Sequence, residues 1–340
     1  MTIKEIQEHE KWDKWILQNA QNGSFLQSWE WGQIVESEGA KVKRISIEKN
    51  ERIICVAQII INTTPLGWQY AFCPKGPIFS NNNSADDISN AFINLSKYLK
   101  KNEIIFLRFE PGKKITLPEK AQKTLDINPK ATAILDLTED LDVTMSRMKS
   151  KTRYNINLSE RHGLSISHEK NLNDFLKLSA ETAKRNNFRL HNPKHYRAIL
   201  ESNSSYQISA TRDNSIIASN VFMRFNNTFT YLYGSSEYNS RNLMAPYLLQ
   251  WEGIKLAKKL GCARYDFFGI APLKRSAKIE KNQNDNDGED YDLTHQYAGV
   301  TKFKLGFDGK RVENPGTFDF VFNKNKYLTY KLLRKLRRML

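Results

Sequence analysis

Cysteine is scarce. The 340 residues hold three, Cys55, Cys73 and Cys262, with no C-x-x-C spacing. An odd, scattered set argues against a disulfide framework or a cysteine zinc site and leaves the three as buried packing residues. Long apolar runs are missing as well. None approaches the roughly 20 residues that span a bilayer. The opening MTIKEIQEHEKWDKW mixes charges and lacks an apolar signal core, so the expected compartment is the cytoplasm. Histidine is sparse: His9, His162, His168, His191, His195 and His295 are scattered, and none falls in H-E-x-x-H spacing. No Cys-His or Ser-His-Asp constellation stands out. Neither a metal, nor a cofactor, nor a covalent acyl-enzyme is called for. Acid is short relative to base: 37 Asp and Glu against 52 Lys and Arg give a net charge of +15. That excess favours polyanionic partners such as nucleic acid, nucleotides or an anionic membrane.

What is present is globular. Hydrophobic residues make up 40% and charged residues 26%, and the length suits two domains. The chain centres on residues 231–270, which read strand, loop, helix, strand. Thr, Tyr and Phe crowd residues 228–233 as in a strand. Pro246 suits the first turn of a helix, where a missing N–H costs nothing. Gly261, after Lys258 and Lys259, suits a left-handed helix end. Residues 265–268 give a short buried strand ending at Gly269. A βαβ unit of this kind is either an ordinary core or the carrier of a site at its strand ends.

The order of elements repeats. In the first half, strands at 42–47, 52–61 and 66–72 precede an amphipathic helix at 86–100 and a buried strand at 104–109. In the second, strands at 206–211, 215–225 and 228–233 precede a helix at 246–260 and a strand at 264–268. Asp213-Asn214 and Asn226-Asn227 mark the turns. The two halves share no obvious sequence identity, so two similar α/β domains follow from order alone. Their join falls near residues 140–148. The expected division is residues 1–142 with 316–340, and 143–315. Residues 145–161 read as one helix carrying Arg147, Lys149, Lys151, Arg153 and Arg161. Residues 274–294 read as a mobile polar loop, and 300–307 as strand. Residues 327–340 form a basic amphipathic helix with leucines at 328, 332, 333, 336 and 340. Lys324, Lys326, Lys331, Arg334, Lys335, Arg337 and Arg338 crowd this tail, which holds no acid.

With these residues in place, the chain resembles the FemABX-type aminoacyltransferases, which build peptidoglycan cross-bridges. The resemblance covers nearly the whole chain. It rests on Phe25-Leu26-Gln27-Ser28 with Trp29 to Gly32, on Lys75-Gly76-Pro77, on Leu107-Arg108-Phe109-Glu110-Pro111, and on residues 151–157. Residues 231–235, Leu243-Met244-Ala245-Pro246-Tyr247, Tyr265-Asp266-Phe267-Phe268-Gly269-Ile270 and residues 298–307 complete it. It implies two tandem GNAT-like (acetyltransferase-like) α/β domains, with the last segment packed back on the first. The family's long coiled-coil arm is absent, as in the armless, FemX-like members. The implied reaction moves an amino acid from aminoacyl-tRNA to an amine of a peptidoglycan precursor stem peptide, and both substrates are anionic.

The resemblance also assigns residues. An aminoacyl ester is already activated, and attack by an amine places negative charge on its carbonyl oxygen. A fixed donor there is worth about 3–4 kcal/mol. Lys304, beside Phe303, matches the position proposed for this role. Glu110 falls where the family often has an acid contacting the precursor; it orients a proton or is a solvated strand-end acid. Asp266 reads as a structural hydrogen-bonding group. Tyr196 matches a precursor-contacting tyrosine, and Arg108, Tyr233, Arg241 and Met244 join it as substrate-binding candidates. Gln33 and Asn192 stand where armless members carry a lysine and an arginine that hold a diphosphate. Charged donors bind phosphate roughly twice as strongly as neutral ones, so this change favours a lipid-linked precursor over a soluble UDP-linked one. Lys149, Lys151 and Arg153 either track tRNA or precursor phosphates or form a solvated basic face. The tail is either docked on the first domain or an interfacial helix in peripheral contact with the inner face of the membrane. Three rival readings stand: an acyl-CoA-dependent N-acyltransferase, transfer to a protein N-terminus, and a non-catalytic RNA-binding protein. Against the first, Arg241-Asn242-Leu243-Met244-Ala245-Pro246 replaces a glycine-rich phosphate loop with Met and Pro.

Overall fold

Backbone propensity and capping place most elements where the pattern expects them. The computed structural model describes residues 1–20, 24–186, 189–274 and 290–339, with side chains of the last helix described to residue 336. The chain divides into two units: Met1–Asn128 with Asn314–Leu340, and Pro129–Glu313.

The first unit opens with β1 (Thr2–Glu5), α1 (His9–Asn19) and α2 (Trp29–Ser37). The Ser28 hydroxyl caps α2 by accepting from the Trp31 N–H at 3.1 Å. Then come β2 (Lys41–Lys49), β3 (Arg52–Thr63), β4 (Gln69–Cys73), β5 (Ile78–Phe79), α3 (Ala85–Lys101), β6 (Ile104–Phe109) and β7 (Ala121–Lys123). A reciprocal capping box between Ser84 and Asp87 starts α3, and Lys100 and Lys101 end it. Its apolar stripe, Phe92, Leu95 and Leu99, is buried against the sheet with Ile45, Leu107 and Phe109.

The second unit holds β8 (Ala131–Asp136), α4 (Leu141–Arg147), α5 (Ser150–Arg161), β9 (Ser165–Ser167), α6 (Leu172–Asn186), α7 (Pro193–Glu201), β10 (Ser205–Arg212), β11 (Ser215–Phe225), β12 (Thr228–Ser236), α8 (Ala245–Lys259), β13 (Arg264–Ile270), α9 (Ala298–Leu305) and β14 (Lys310–Glu313). The chain then returns to the first unit as β15 (Phe318–Val321) and α10 (Lys324–Met339).

The first sheet runs β1-β2-β3-β4-β6-β15-β7, with β5 on β3; the second runs β14-β8-β13-β12-β11-β10-β9. Among the described residues each sheet has one parallel pair, β4 with β6 and β12 with β13, and a helix (α3 or α8) joins each pair. The duplicated α/β order is therefore real. Among the described residues no helix exceeds the 17 residues of α3, so no long arm is built there.

Several expectations change. The boundary moves from 142 to 128, because β8 pairs with both β13 and β14. Residues 131–136 form β8, a strand outside the expected element order. The single helix expected over 145–161 is broken at Met148 and Lys149, both extended, where the buried Met148 enters the core. Residues 300–305 are helical and 306–307 a turn, not strand. Their alternation of Phe303, Leu305 and Phe307 with polar residues imitates a strand, but the buried residues of α9 are Thr301 and Lys304, three apart on one helical face. Of the polar loop at 274–294, residues 275–289 lie outside the described residues. Its ends are stapled by a Leu273–Tyr291 bridge and by a bond from the Lys274 N–H to the Asp290 carbonyl.

Candidate active site

The parallel pair β12 and β13 sets the site. Their register holds from Thr228–Arg264 only to Thr230–Asp266, yet both strands continue, to Ser236 and Ile270. They part beyond that point and leave a gap between them. Two irregularities shape it. In β12 a bulge at Leu232 makes Tyr231 oppose Phe222 and Tyr233 oppose Val221. Adjacent residues of β11 face opposite ways, so the two tyrosines point to opposite faces of the sheet. In β13 a second bulge falls between Asp266 and Gly269, where Phe268 has φ 57°. This left-handed residue is unusual for a bulky side chain.

Lys304 occupies the gap. It is 8% exposed, its Nζ donates to the Gly269 carbonyl at 2.8 Å, and it lies 5.3 Å from the centroid of the Tyr231 ring. Burial pulls its pKa down from 10.5 to about 7, with the nearby Asp266 charge acting in the opposite direction. Asp266 is held by the Phe268 N–H at 2.8 Å and by the Thr132 hydroxyl. The Thr301 hydroxyl accepts from the Ala271 N–H at 2.8 Å and thereby ties α9 to the end of β13. Two glycines are required by close approach. A Cβ at Gly269 would lie 2.9 Å from Pro129 and Tyr297 atoms, and one at Gly234 would lie 1.8 Å from the Tyr231 hydroxyl.

Around this centre the sequence candidates separate. Phe303, adjacent to Lys304 in α9, packs edge-on against Tyr247 at 4.9 Å and against Phe307 at 5.3 Å. It forms a wall rather than a reacting group. The Lys149 N–H donates to the Gly306 carbonyl at 2.9 Å, so the start of α5 abuts the end of α9. Lys149, Lys151 and Tyr154 are exposed there. Arg153 is engaged otherwise: its guanidinium donates to the Ser146 carbonyl at 3.1 Å and to the Met148 carbonyl, closing the end of α4. Arg241 is exposed and stacks on Tyr238 at 4.3 Å. Met244 is left-handed, φ 54°, at the start of α8. The Met244 and Tyr247 N–H groups donate to Arg241 and Met244 carbonyls within the turn, and Pro246 has none to offer. The anion cradle that a CoA pyrophosphate needs is therefore poor in donors.

Tyr233 faces the other side of the sheet, in an aromatic cluster. Its hydroxyl lies 2.9 Å from His195 Nε2, and its ring is 5.2 Å from Tyr196. Tyr196 is buried and its hydroxyl accepts from the His191 N–H at 3.2 Å. His191 stacks 4.4 Å from His195, and burial followed by the His195 charge pulls its pKa down. Asn192 is exposed and caps α7, accepting from the Lys194 N–H at 3.0 Å. Tyr231, Thr132 and His195 lie beside the candidates without a sequence signal that marks them. Nothing in residue spacing reveals the bulge that separates Tyr231 from Tyr233.

In the first unit, Gln33 is exposed on α2. The other two candidates there are structural. Arg108 is buried and makes a two-pronged pair with Asp319, Nε to Oδ1 at 2.7 Å and Nη2 to Oδ2 at 2.8 Å. Burial opposes its charge, but the Asp319 partner outweighs that and the guanidinium pKa rises. This pair pins β15 to β6 and is no ligand for substrate. Glu110 is 3% exposed, neither solvated nor reaching outward. It accepts from the Thr317 hydroxyl at 2.8 Å, the Asn128 N–H at 2.9 Å, the Asn128 amide at 2.7 Å and the Lys75 N–H at 3.4 Å. It clamps the ends of the first unit's two chain segments together. Nearby, Lys75, Pro77, Pro111, Gly112, Lys113 and Ile115 line a small cleft.

Comparison with known proteins agrees with the duplicated fold. Residues 7–139, 120–207 and 202–335 match the FemAB family. Aminoacyltransferase FemA of Staphylococcus epidermidis is 32% identical over 108 residues, covering 32% of this chain and 22% of FemA. FemA of Staphylococcus aureus is 33% identical over 115 residues, covering 33% of this chain and 23% of FemA. The alignments thus span less than a quarter of those relatives. The crystal structure of FemX superposes with TM-score 0.78 at 16% identity, over 97% of this chain and 99% of that one. A tandem GNAT protein from the clavulanic acid biosynthesis pathway superposes with TM-score 0.54 at 10% identity, over 94% and 97%. At such identities the superpositions establish the fold, a tandem GNAT-like one. Matched from one end to nearly the other, the chain belongs to the FemAB family.

Proposed function

We propose that this chain is an aminoacyltransferase that moves an amino acid from its tRNA ester to an amine of a peptidoglycan precursor stem peptide. The observation that carries the reading is Lys304, a buried lysine with a pKa near 7 in the gap between β12 and β13. Family membership supplies the reaction class. A neutral acceptor amine bonds to the ester carbon, and the carbonyl electrons move onto oxygen. The Lys304 ammonium stabilises that oxyanion. As the C–O bond breaks, Lys304 gives a proton to the leaving ribose oxygen, and the proton lost by the attacking nitrogen restores the ammonium. A group with pKa near the working pH serves both directions of such a transfer. Tyr231, against the amine, keeps water out and favours the cation through its ring face.

Lys149 and Lys151, next to α9, suit the tRNA phosphates. The partly exposed Tyr233, backed by the buried Tyr196 and His195, suits contact with a planar or peptide group. The uncharged Gln33 and Asn192 favour a lipid-linked acceptor, and Asn192 already serves as a helix cap. The scarcity of donors at the start of α8 disfavours acyl-CoA as the alternative donor.

The test uses purified protein, a mixed pool of labelled aminoacyl-tRNAs, and the UDP-linked and lipid-linked precursors side by side. Transfer to the lipid-linked form is expected. Transfer to the UDP-linked form alone keeps the enzyme class and overturns the acceptor. Transfer to neither, with acyl-CoA active instead, overturns the donor.

A further inference from the structure

The last helix turns the wrong face to its own fold. α10 is seated on the first sheet by aromatic residues. Tyr327 is 2% exposed, its ring meets Phe106 edge-on at 5.1 Å, and its hydroxyl donates to Asp319 at 2.9 Å. Tyr330 lies 5.1 Å from Phe106 and 5.6 Å from Tyr70. These contacts fix the rotation of the helix. A helix that existed only to cover the sheet would turn its leucines inward. Here Leu328, Leu332 and Leu336 stay 53%, 59% and 49% exposed. Spaced four residues apart, they form one row. Lys324 stands exposed at the head of the same row, Lys331 and Lys335 are exposed beside it, and no acidic residue follows Asp319 in the chain.

We propose that this face of α10 docks on an anionic lipid bilayer, its leucines entering the acyl boundary and its lysines meeting lipid phosphates. An apolar row edged by cations, with no acid, matches the chemistry of that surface. It matches a second copy of this chain poorly, because two such faces would bring lysine against lysine. Rotating α10 to hide the leucines would break the Tyr327–Asp319 bond and withdraw two tyrosines from Phe106, so the outward face is set by the fold. The inference stands apart from the transfer reaction, since it needs neither Lys304 nor a substrate.

The experiment is vesicle flotation of the full chain at about 0.1 M salt, where exposed charges still act over roughly 10 Å. Vesicles of equal parts phosphatidylglycerol and phosphatidylcholine are compared with phosphatidylcholine alone. Two variants are run beside the parent: Leu328→Ser with Leu332→Ser and Leu336→Ser, and Lys324→Gln with Lys331→Gln and Lys335→Gln. All six positions are exposed, and unchanged melting curves establish that the fold persists. The parent should float with the anionic vesicles and hardly with the neutral ones. Each variant should lose at least tenfold in partitioning, since each lysine near an anionic surface is worth roughly fivefold. Equal binding to both vesicles, an unaffected leucine variant, or a parent that does not float each overturns the proposal. A parent that fails to float but forms dimers dispersed by the leucine substitutions assigns the face to a second copy instead.

Discussion

Replacing Lys304 by methionine should make the protein more stable and much less active at once. The lysine's pKa falls from 10.5 in an exposed setting to about 7 in the fold, mainly because burial disfavours the charge. Its folded pKa is depressed, so between about pH 7 and 10.5 the unfolded chain holds a proton that the folded chain lacks. Stability then rises with pH across that window, and below it the full cost of burying the amine remains. At 1.36 kcal/mol per tenfold, the cost below pH 7 is about 5 kcal/mol as an upper bound. Methionine keeps the apolar stem but leaves the Gly269 carbonyl without the donor now at 2.8 Å, which takes back about 1–3 kcal/mol. The variant should gain about 2–4 kcal/mol near pH 6, and the gain should shrink to nothing or reverse near pH 9–10. Urea unfolding at pH 6 and 9 measures this, and turnover of aminoacyl-tRNA in the same preparations should fall about 10²–10³-fold, as for loss of one oxyanion donor. A variant less stable than the parent at pH 6 would show that Lys304 is held for structure. A folded variant with full turnover would remove it from the reaction.

The Asp266 charge raises the Lys304 pKa, so Asp266→Asn should shift the alkaline limb of the pH–rate profile to lower pH, because the active ammonium is lost earlier as pH rises. An unmoved limb would assign that limb to another group. Arg108→Ala should cost about 3–5 kcal/mol in denaturant unfolding, by stranding the fully buried Asp319, whereas replacing both by apolar residues should recover most of it. Glu110→Ala leaves two backbone N–H groups, the Asn128 side-chain amide and the Thr317 hydroxyl without their acceptor, and should lower the melting temperature while turnover per folded molecule stays near the parent's. A selective loss of turnover would return Glu110 to the site.

The parts of the fold that rest on local signals were legible. The Ser28 cap, Pro246 in the first turn of α8, the left-handed Gly261 and the paired turns at Asp213-Asn214 and Asn226-Asn227 stand where residue chemistry puts them. The duplicated order followed from them. Strands that depend on distant partners were not legible. β8 (ATAILD) and β15 (FDFV) are short, and each is inserted beside strands far away in the chain, a placement that no local pattern encodes. The first of these moved the domain boundary.

The site shows the same division more sharply. The sequence points to Lys304 as a residue but reads its segment as a strand, and it points to Tyr233 rather than Tyr231 as a site tyrosine. Strand alternation puts residues 231 and 233 on one face, and only a bulge can separate them. With the Leu232 bulge, Tyr231 turns to Lys304 and Tyr233 turns to His195. Glu110 and Arg108 failed for a related reason. A charged residue at a strand end reads as a reaching side chain, but both are closed off by partners 18 to 211 positions away in the chain. The buried charge of the gap rests on one amine, held near neutrality beside the left-handed Phe268 and bonded to the Gly269 carbonyl. Such a group is costly to keep and easily replaced by an apolar one, so its presence in the gap between two parting strands is the strongest physical argument for the site proposed there.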